Sequence, residues 1–191
     1  MPGARMEAFL VSMLVVAAGE MGDKTQLLAL LLATRFRSRG AIVLGILAAT
    51  LANHTLAGAL GVWLRGRAPV DGLRWIIAAT FLAMALWALK ADRLDEHPRE
   101  ARGPLGVFAV TAASFFMVEM GDKTQIATVA LAAQFDNLQA VVAGTTLGML
   151  VADVPIVWLG RAIAAKISLR AARLFAAALF AALALVAIFA G

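Results

Sequence analysis

The chain has 191 residues, 62% of them apolar, with no cysteine, a mean hydropathy of +0.87 and a formal net charge of +5. That apolarity is far above that of a soluble domain, and the lack of cysteine excludes disulfides, thiolate metal sites and redox motifs. The basic balance does not point to nucleic acid, because Lys and Arg sit in short loops between apolar stretches and form no extended basic face.

Six apolar runs, each of about twenty residues or more, follow one another along the chain, and each is long enough to cross a bilayer as a helix. They cover 6–35, 40–64, 72–90, 105–135, 139–160 and 171–190. The start of the first, with Arg5, an apolar stretch from Ala8 and then Ala17-Ala18-Gly19, has the outline of a cleaved signal peptide. Cleavage there would remove the lead-in to the polar string that follows, so the first run is read as a permanent helix.

That string is Glu-Met-Gly-Asp-Lys-Thr-Gln, and it occurs twice, at Glu20 to Gln26 and at Glu119 to Gln125. Both copies lie inside spanning runs, where ionisable groups are costly and by default mark an ion or proton pathway. The 99-residue offset between them extends much further. Gly45 falls on Gly144, Leu51 on Leu150, Gly61 on Gly160, Phe81 on Phe180 and Leu86 on Leu185, with no gap across three runs.

The fold expected is therefore an all-α membrane protein, a single transmembrane domain over 1–191 with six transmembrane helices arranged as two three-helix repeats, 6–91 and 105–190. A hydrophilic linker, 92–104, joins them. An odd number of spans per repeat forces the second repeat into the opposite orientation, so the repeats are inverted. That is a common transporter architecture, with the binding site near the midplane at the repeat interface.

Eleven Lys and Arg fall on one side of this topology: Arg35, Arg37, Arg39, Lys90, Arg93, Arg99, Arg102, Arg161, Lys166, Arg170 and Arg173. Four fall on the other, Arg5, Arg65, Arg67 and Arg74. The positive-inside rule makes the first side cytoplasmic and places both termini outside. Trp63, Trp75 and Trp158 near span ends suit interfacial anchors.

On a continuous helix Glu20, Asp23 and Lys24 share a face, with Gln26 near Asp23, and Glu119, Asp122, Lys123 and Gln125 repeat the pattern. Thr25 and Thr124 offer hydroxyls from a different face. Gly22 and Gly121 permit either close helix approach or a local break that exposes backbone carbonyls. If the two motifs meet, four carboxylates converge, an oxygen-rich set that suits Mg²⁺, Ca²⁺ or Mn²⁺. Four carboxylates and two lysines sum to −2, which one divalent cation neutralises. A carboxylate stripped of its cation in a low dielectric tends to take up a proton, and that alternation is the physical basis of antiport. The plainer alternative is that Glu20–Lys24 and Glu119–Lys123 are intrahelical ion pairs that hold the bundle together. Near-identical duplication argues against it, because drift erodes one copy of a merely structural pair.

Asp153 in the fifth run and its offset mate His54 in the second break the symmetry. They fit either a proton relay or metal shell, or a satisfied interhelical hydrogen bond. Met21 and Met120 fit packing better than soft ligation. His97 lies in the linker, away from this chemistry.

The duplicated Glu-x-Gly-Asp-Lys-Thr/Ser string, one per three-helix repeat, resembles the signature of a known cation/proton antiporter family. It contains the eukaryotic Golgi transmembrane protein 165, its yeast Gdt relative, chloroplast manganese transporters and bacterial MneA-type manganese exporters. The resemblance spans essentially the whole chain. It implies exchange of Mn²⁺, and in some members Ca²⁺, for H⁺, with Glu20, Asp23, Glu119 and Asp122 as the cation-binding residues. Lys24, Thr25, Gln26, Lys123, Thr124, Gln125, Asp153 and His54 fall into supporting or proton-coupling places. The short linker resembles bacterial members, which implies Mn²⁺ export across the cell inner membrane, with the lipid bilayer as surroundings, no cofactor beyond the transported ions and no nucleic-acid partner. A Ca²⁺/H⁺ exchanger with the same site is the nearest rival. An ion channel needs no proton-coupled acids, and an intramembrane hydrolase needs an asymmetric acid and base that twin motifs do not suit.

Overall fold

The structure is a computed structural model that describes residues 2–67, 69–90, 100–135, 137–160 and 169–189. Among these there are eight helices and no strand: α1 (Pro2–Glu20), α2 (Lys24–Arg35), α3 (Arg39–Arg65), α4 (Val70–Ala88), α5 (Gly103–Glu119), α6 (Lys123–Gln134), α7 (Leu138–Leu159) and α8 (Leu169–Phe189). Large apolar side chains point outward all around the bundle, among them Leu56, Ile76, Leu86, Phe175 and Phe189. An exposed apolar surface on this scale is what lipid rather than water requires.

The expectation of six continuous spans is corrected in part. Among the described residues three helices are long and apolar enough to cross a membrane, Arg39–Arg65, Leu138–Leu159 and Arg170–Phe189, which correspond to the second, fifth and sixth runs. The fourth run counts as one span only as a pair, α5 and α6, bent by 72°. The first run is likewise divided into α1 and α2. In the third run the apolar helix is shorter, Gly72–Ala88. The expected linker overlaps α5, which already begins at Gly103, and its residues 92–99, His97 included, lie outside the described residues, as do Arg161 and Lys166.

Both breaks fall inside the repeated string, and the string explains them. The amide of Asp122 donates to the Glu119 carbonyl at 3.1 Å, with Met120 at φ −66°, ψ 118° and Gly121 at φ 76°. These are the dihedrals of a type II turn, whose third position needs a positive φ and so favours glycine. The Asp23 amide donates to the Glu20 carbonyl at 3.0 Å across Gly22 at φ 81°. Of the two roles left open for these glycines, the structure selects the break.

The 99-residue offset reappears in the packing. A Cβ on Gly45 would stand 2.9 Å from the Phe108 carbonyl oxygen, and a Cβ on Gly144 would stand 2.3 Å from that of Phe9. Gly45 and Gly144 are offset mates, and so are Phe9 and Phe108, so α3 meets α5 as α7 meets α1. Phe81 and Phe180, also mates, are both buried and face each other with ring centroids 6.4 Å apart. Contacts that exchange their partners in this way are the mark of a pseudo-twofold relation. It brings α2 and α6, with their strings, to the middle of the bundle, between α3 and α7.

The glycine crossings give the first testable outcome. Gly144→Val should force α7 off α1, an overpacking cost of about 1–3 kcal/mol. Gly40→Ala, where a Cβ would meet nothing within 4 Å, should be neutral or mildly stabilising. Thermal unfolding in detergent, followed by loss of monodisperse protein, separates the two, and equal midpoints would refute the crossing.

Candidate metal centre

The broken helices set the site. Glu20 and Glu119 end α1 and α5, while Asp23 and Asp122 are the N-cap residues of α2 and α6. Neither aspartate caps its helix with its side chain. Glutamine takes part of that role. The Gln26 Oε1 accepts from the Gly22 amide at 2.9 Å, and the Gln125 Oε1 accepts from the Gly121 amide at 2.7 Å. The aspartate carboxylates are thereby released toward the opposite repeat.

There they meet lysines. Lys24 pairs with Asp122 at 2.9 Å, and Lys123 donates to the Asp23 Oδ1. Both ion pairs run between repeats, rather than along one helix as the plainer structural alternative has it. The turn between each Glu and Lys removes the i, i+4 spacing such a pair needs. Thr25 and Thr124 were placed on a different face, and the same turn corrects that too. The Thr25 hydroxyl donates to the Glu20 Oε2, and the Thr124 hydroxyl to the Glu119 Oε2 at 3.0 Å.

All four acids are at most 1% exposed, and one carboxylate oxygen from each lies within 4.8 Å of the others. The Oε1 atoms of Glu20 and Glu119 are buried with no hydrogen-bond partner among the described residues. Buried polar atoms are nearly always partnered, so unsatisfied carboxylate oxygens at the centre of an acidic cluster fit ligation of a cation. Oxygen donors alone make this a hard-ion set. The N-termini of α2 and α6 add partial positive charge beside the aspartates, as half-helices do at midplane sites.

The remaining candidates frame the cluster. The Gln26 Nε2 donates to the Ala152 carbonyl on α7 at 3.0 Å, and the Gln125 Nε2 donates to the Asn53 Oδ1 on α3 at 3.3 Å. Ala152 and Asn53 are offset mates, so each half-helix is tethered to the same place on the other repeat. Asp153 and His54 are the next residues along. Both are fully buried, and neither the Asp153 carboxylate oxygens nor the His54 ring nitrogens have a hydrogen-bond partner among the described residues. The interhelical hydrogen bond held open for them is thus not seen. Asp153 and His54 both stand outside the four-acid cluster. Met21 and Met120 are 39% and 55% exposed, in keeping with a place outside the centre.

Two participants were not read from the sequence as such. Asn53 holds Gln125 and also donates to the Phe116 carbonyl at 3.1 Å. Arg65 donates to the carbonyls of Ala133 and Gln134 at the end of α6. An asparagine inside an apolar run was a signal for the first. A loop arginine carries none for the second.

The family profile described as divalent cation/proton antiporter GDT1 matches residues 8–96 and 107–191. A protein of Vibrio cholerae serotype O1, provisionally named a manganese exporter, is 47% identical over 186 residues, covering 96% of this chain and 92% of its own length. A GDT1-like protein of Synechocystis is 31% identical over 197 residues, covering 92% and 93%. No solved structure matches the chain. With a buried acidic cluster assembled from both copies of the string and the profile matched over nearly its whole length, the chain belongs to the GDT1 family of divalent cation/proton antiporters.

Proposed function

We propose that the chain exports Mn²⁺ from the cytoplasm in exchange for protons, through one site near the bilayer midplane that both repeats build. The observation that carries this is the convergence of Glu20, Asp23, Glu119 and Asp122, buried and each with a carboxylate oxygen within 4.8 Å of the others. The reading takes α1 with α2 and α5 with α6 as broken spans and α4 as a short one. That gives six spans in two inverted repeats, 6–91 and 105–190, in a bacterial inner membrane with both termini outside.

The exchange follows from charge. The four carboxylates exceed Lys24 and Lys123 by two negative charges, so a divalent cation is neutralised on binding. On its release, protons make up the deficit, because the low dielectric disfavours bare carboxylates. The lysines hold Asp23 and Asp122, and the cation competes with them for the same oxygens. Thr25 and Thr124 fix one oxygen of each glutamate, which leaves the other to the ion. Gln26 and Gln125 position the half-helices. Asp153, next in the chain to the Ala152 carbonyl that holds Gln26 and without an equivalent acid in the other half, supplies a one-sided proton branch, with His54 its counterpart on α3.

Mn²⁺ is preferred as cargo on the strength of the Vibrio relative's name. The all-oxygen donor set suits Ca²⁺ equally, which keeps a Ca²⁺/H⁺ exchanger as the second reading.

Glu20→Gln, Asp23→Asn, Glu119→Gln and Asp122→Asn should each lower Mn²⁺ uptake into inverted vesicles by about tenfold or more. Loss of a partner one step further from a metal already costs 10–100-fold. Near-normal uptake in any two of the four would remove the shared site.

A pH-sensitive dye in proteoliposomes should report proton movement opposite to Mn²⁺, and competition by Ca²⁺ or Mg²⁺ should rank the cargo. Robust Mn²⁺ flux with no dye signal would mean a channel or uniporter. Stronger competition by Ca²⁺ than by unlabelled Mn²⁺ would favour the second reading.

Because the chain has no cysteine, single cysteines report topology without background. Ser38→Cys should resist an impermeant thiol reagent in intact cells, and Gly66→Cys should label. The same result at both positions would refute the span count.

A further inference from the structure

If the 99-residue offset held everywhere, each contact between repeats would occur twice. At the far ends of α3 and α7 it does not. A Cβ on Gly61 would stand 2.3 Å from the Val129 carbonyl oxygen and 2.9 Å from the Ala132 Cβ, so α3 lies directly against the last turns of α6. One turn further, the Arg65 guanidinium donates to the Gln134 carbonyl at 2.9 Å and to the Ala133 carbonyl at 3.4 Å. These carbonyls are among the four that a helix end leaves without an intrahelical donor.

The mates of these residues are Gly160, Leu30, Ala33 and Ala164. A Cβ on Gly160 would meet no described atom within 4 Å, and α2 is wholly described, so the close contact of Gly61 with α6 is not repeated between Gly160 and α2. The chain leaves the α7 helix at Leu159, whereas α3 continues to Arg65. Ala164 lies outside the described residues, and an alanine has no side-chain donor with which to repeat the bonds of Arg65. Exposure follows the same division. Ala130 and Ala133 on α6 are buried, while their mates Leu31 and Thr34 on α2 are exposed. The Lys123 side chain is 4% exposed and that of Lys24 is 22% exposed.

We infer that the α3–α6 contact is a closed gate, that the looser junction of the α7 end with α2 is its open counterpart, and that Arg65 is the latch favouring this arrangement. The inference rests on the inverted-repeat reading, which puts Gly61, Arg65 and Gln134 on the external side and Gly160 with the end of α2 on the cytoplasmic side. The bundle is then closed more tightly on the external side than on the cytoplasmic side, where an exporter collects its cargo, with the four acids themselves buried. The opposite state follows by exchange: the end of α7 closes on α2 around Gly160 while Arg65 releases the end of α6. Glycine at both gate positions lets helix backbone approach helix backbone at either end. Arginine at only one makes the two closed states unequal.

The test uses labelling and needs no transport. Ala133→Cys should be shielded from an impermeant thiol reagent in intact cells, and Thr34→Cys should label in inside-out vesicles. Adding Arg65→Ala should raise labelling of Ala133→Cys severalfold and lower that of Thr34→Cys, since one gate opens as the other closes. Arg65→Lys, which keeps a charged donor, should restore most of both signals. If Arg65→Ala changes neither position, or exposes Ala133→Cys while Thr34→Cys labels as before, Arg65 is a local cap and the gate is overturned. If the two positions label from the opposite sides to those expected, the membrane orientation given above falls, while a reciprocal response to Arg65→Ala still supports the gate.

Discussion

Everything in this bundle is arranged around four carboxylates buried in a protein that is itself surrounded by apolar surface. A carboxylate taken out of water carries an effective penalty of several kcal/mol even after relaxation. No repeat can offset that by itself, because Asp23 is held by Lys123 and Asp122 by Lys24. Assembly of the two repeats and neutralisation of the site are therefore one event. The pairing also explains why a merely structural salt bridge is a poor account of the string. A bridge could be satisfied within one helix, whereas this geometry holds the aspartates in a charge-deficient cluster at the interface.

The glycine turns make that geometry attainable. In an unbroken helix the backbone groups are saturated, and each acid projects along a fixed 3.6-residue spiral. Breaking the helix at Gly22 and Gly121 ends one helix at the glutamate and starts the next at the aspartate. It turns two helix N-termini toward the anions and brings the threonine hydroxyls onto the glutamates. The freed amides of Gly22 and Gly121 are satisfied by Gln26 and Gln125, whose other amide ends reach α7 and α3. Each polar residue of the string thus has a partner that depends on the break.

The sequence was readable where the signal is long or repeated. Spans 40–64, 139–160 and 171–190 are sustained apolar runs and appear as single helices. The offset of the two strings foretold the meeting of the four acids, because a duplicated buried charge has few other places to go. The break was harder to read. Apolar residues on both sides favoured a continuous helix, and local pattern does not choose between a tolerated helical glycine and a turn. A turn signal was nonetheless present, since Gly-Asp followed three residues later by Gln reads as the start of a helix. The error about Thr25 and Thr124 followed from assuming one straight helix. The contacts of Asn53 and Arg65 were not legible at all, because each joins a side chain to atoms more than sixty positions away.

The departures from duplication carry as much physics as the matches. A chain whose halves were identical would have two access states related by symmetry and equal in energy, so nothing in the protein would favour either side. A ligand shifts such an equilibrium only by its differential affinity for the two states, and the resting preference has to come from residues that differ between the halves. Here the four acids, their threonine and lysine partners and the turn glycines are duplicated without change, whereas Asn53 is matched by Ala152, His54 by Asp153 and Arg65 by Ala164 across the offset. On the function proposed above, the duplicated set defines what is bound. The unmatched set then alters the energy of one access state without altering the site that both states share.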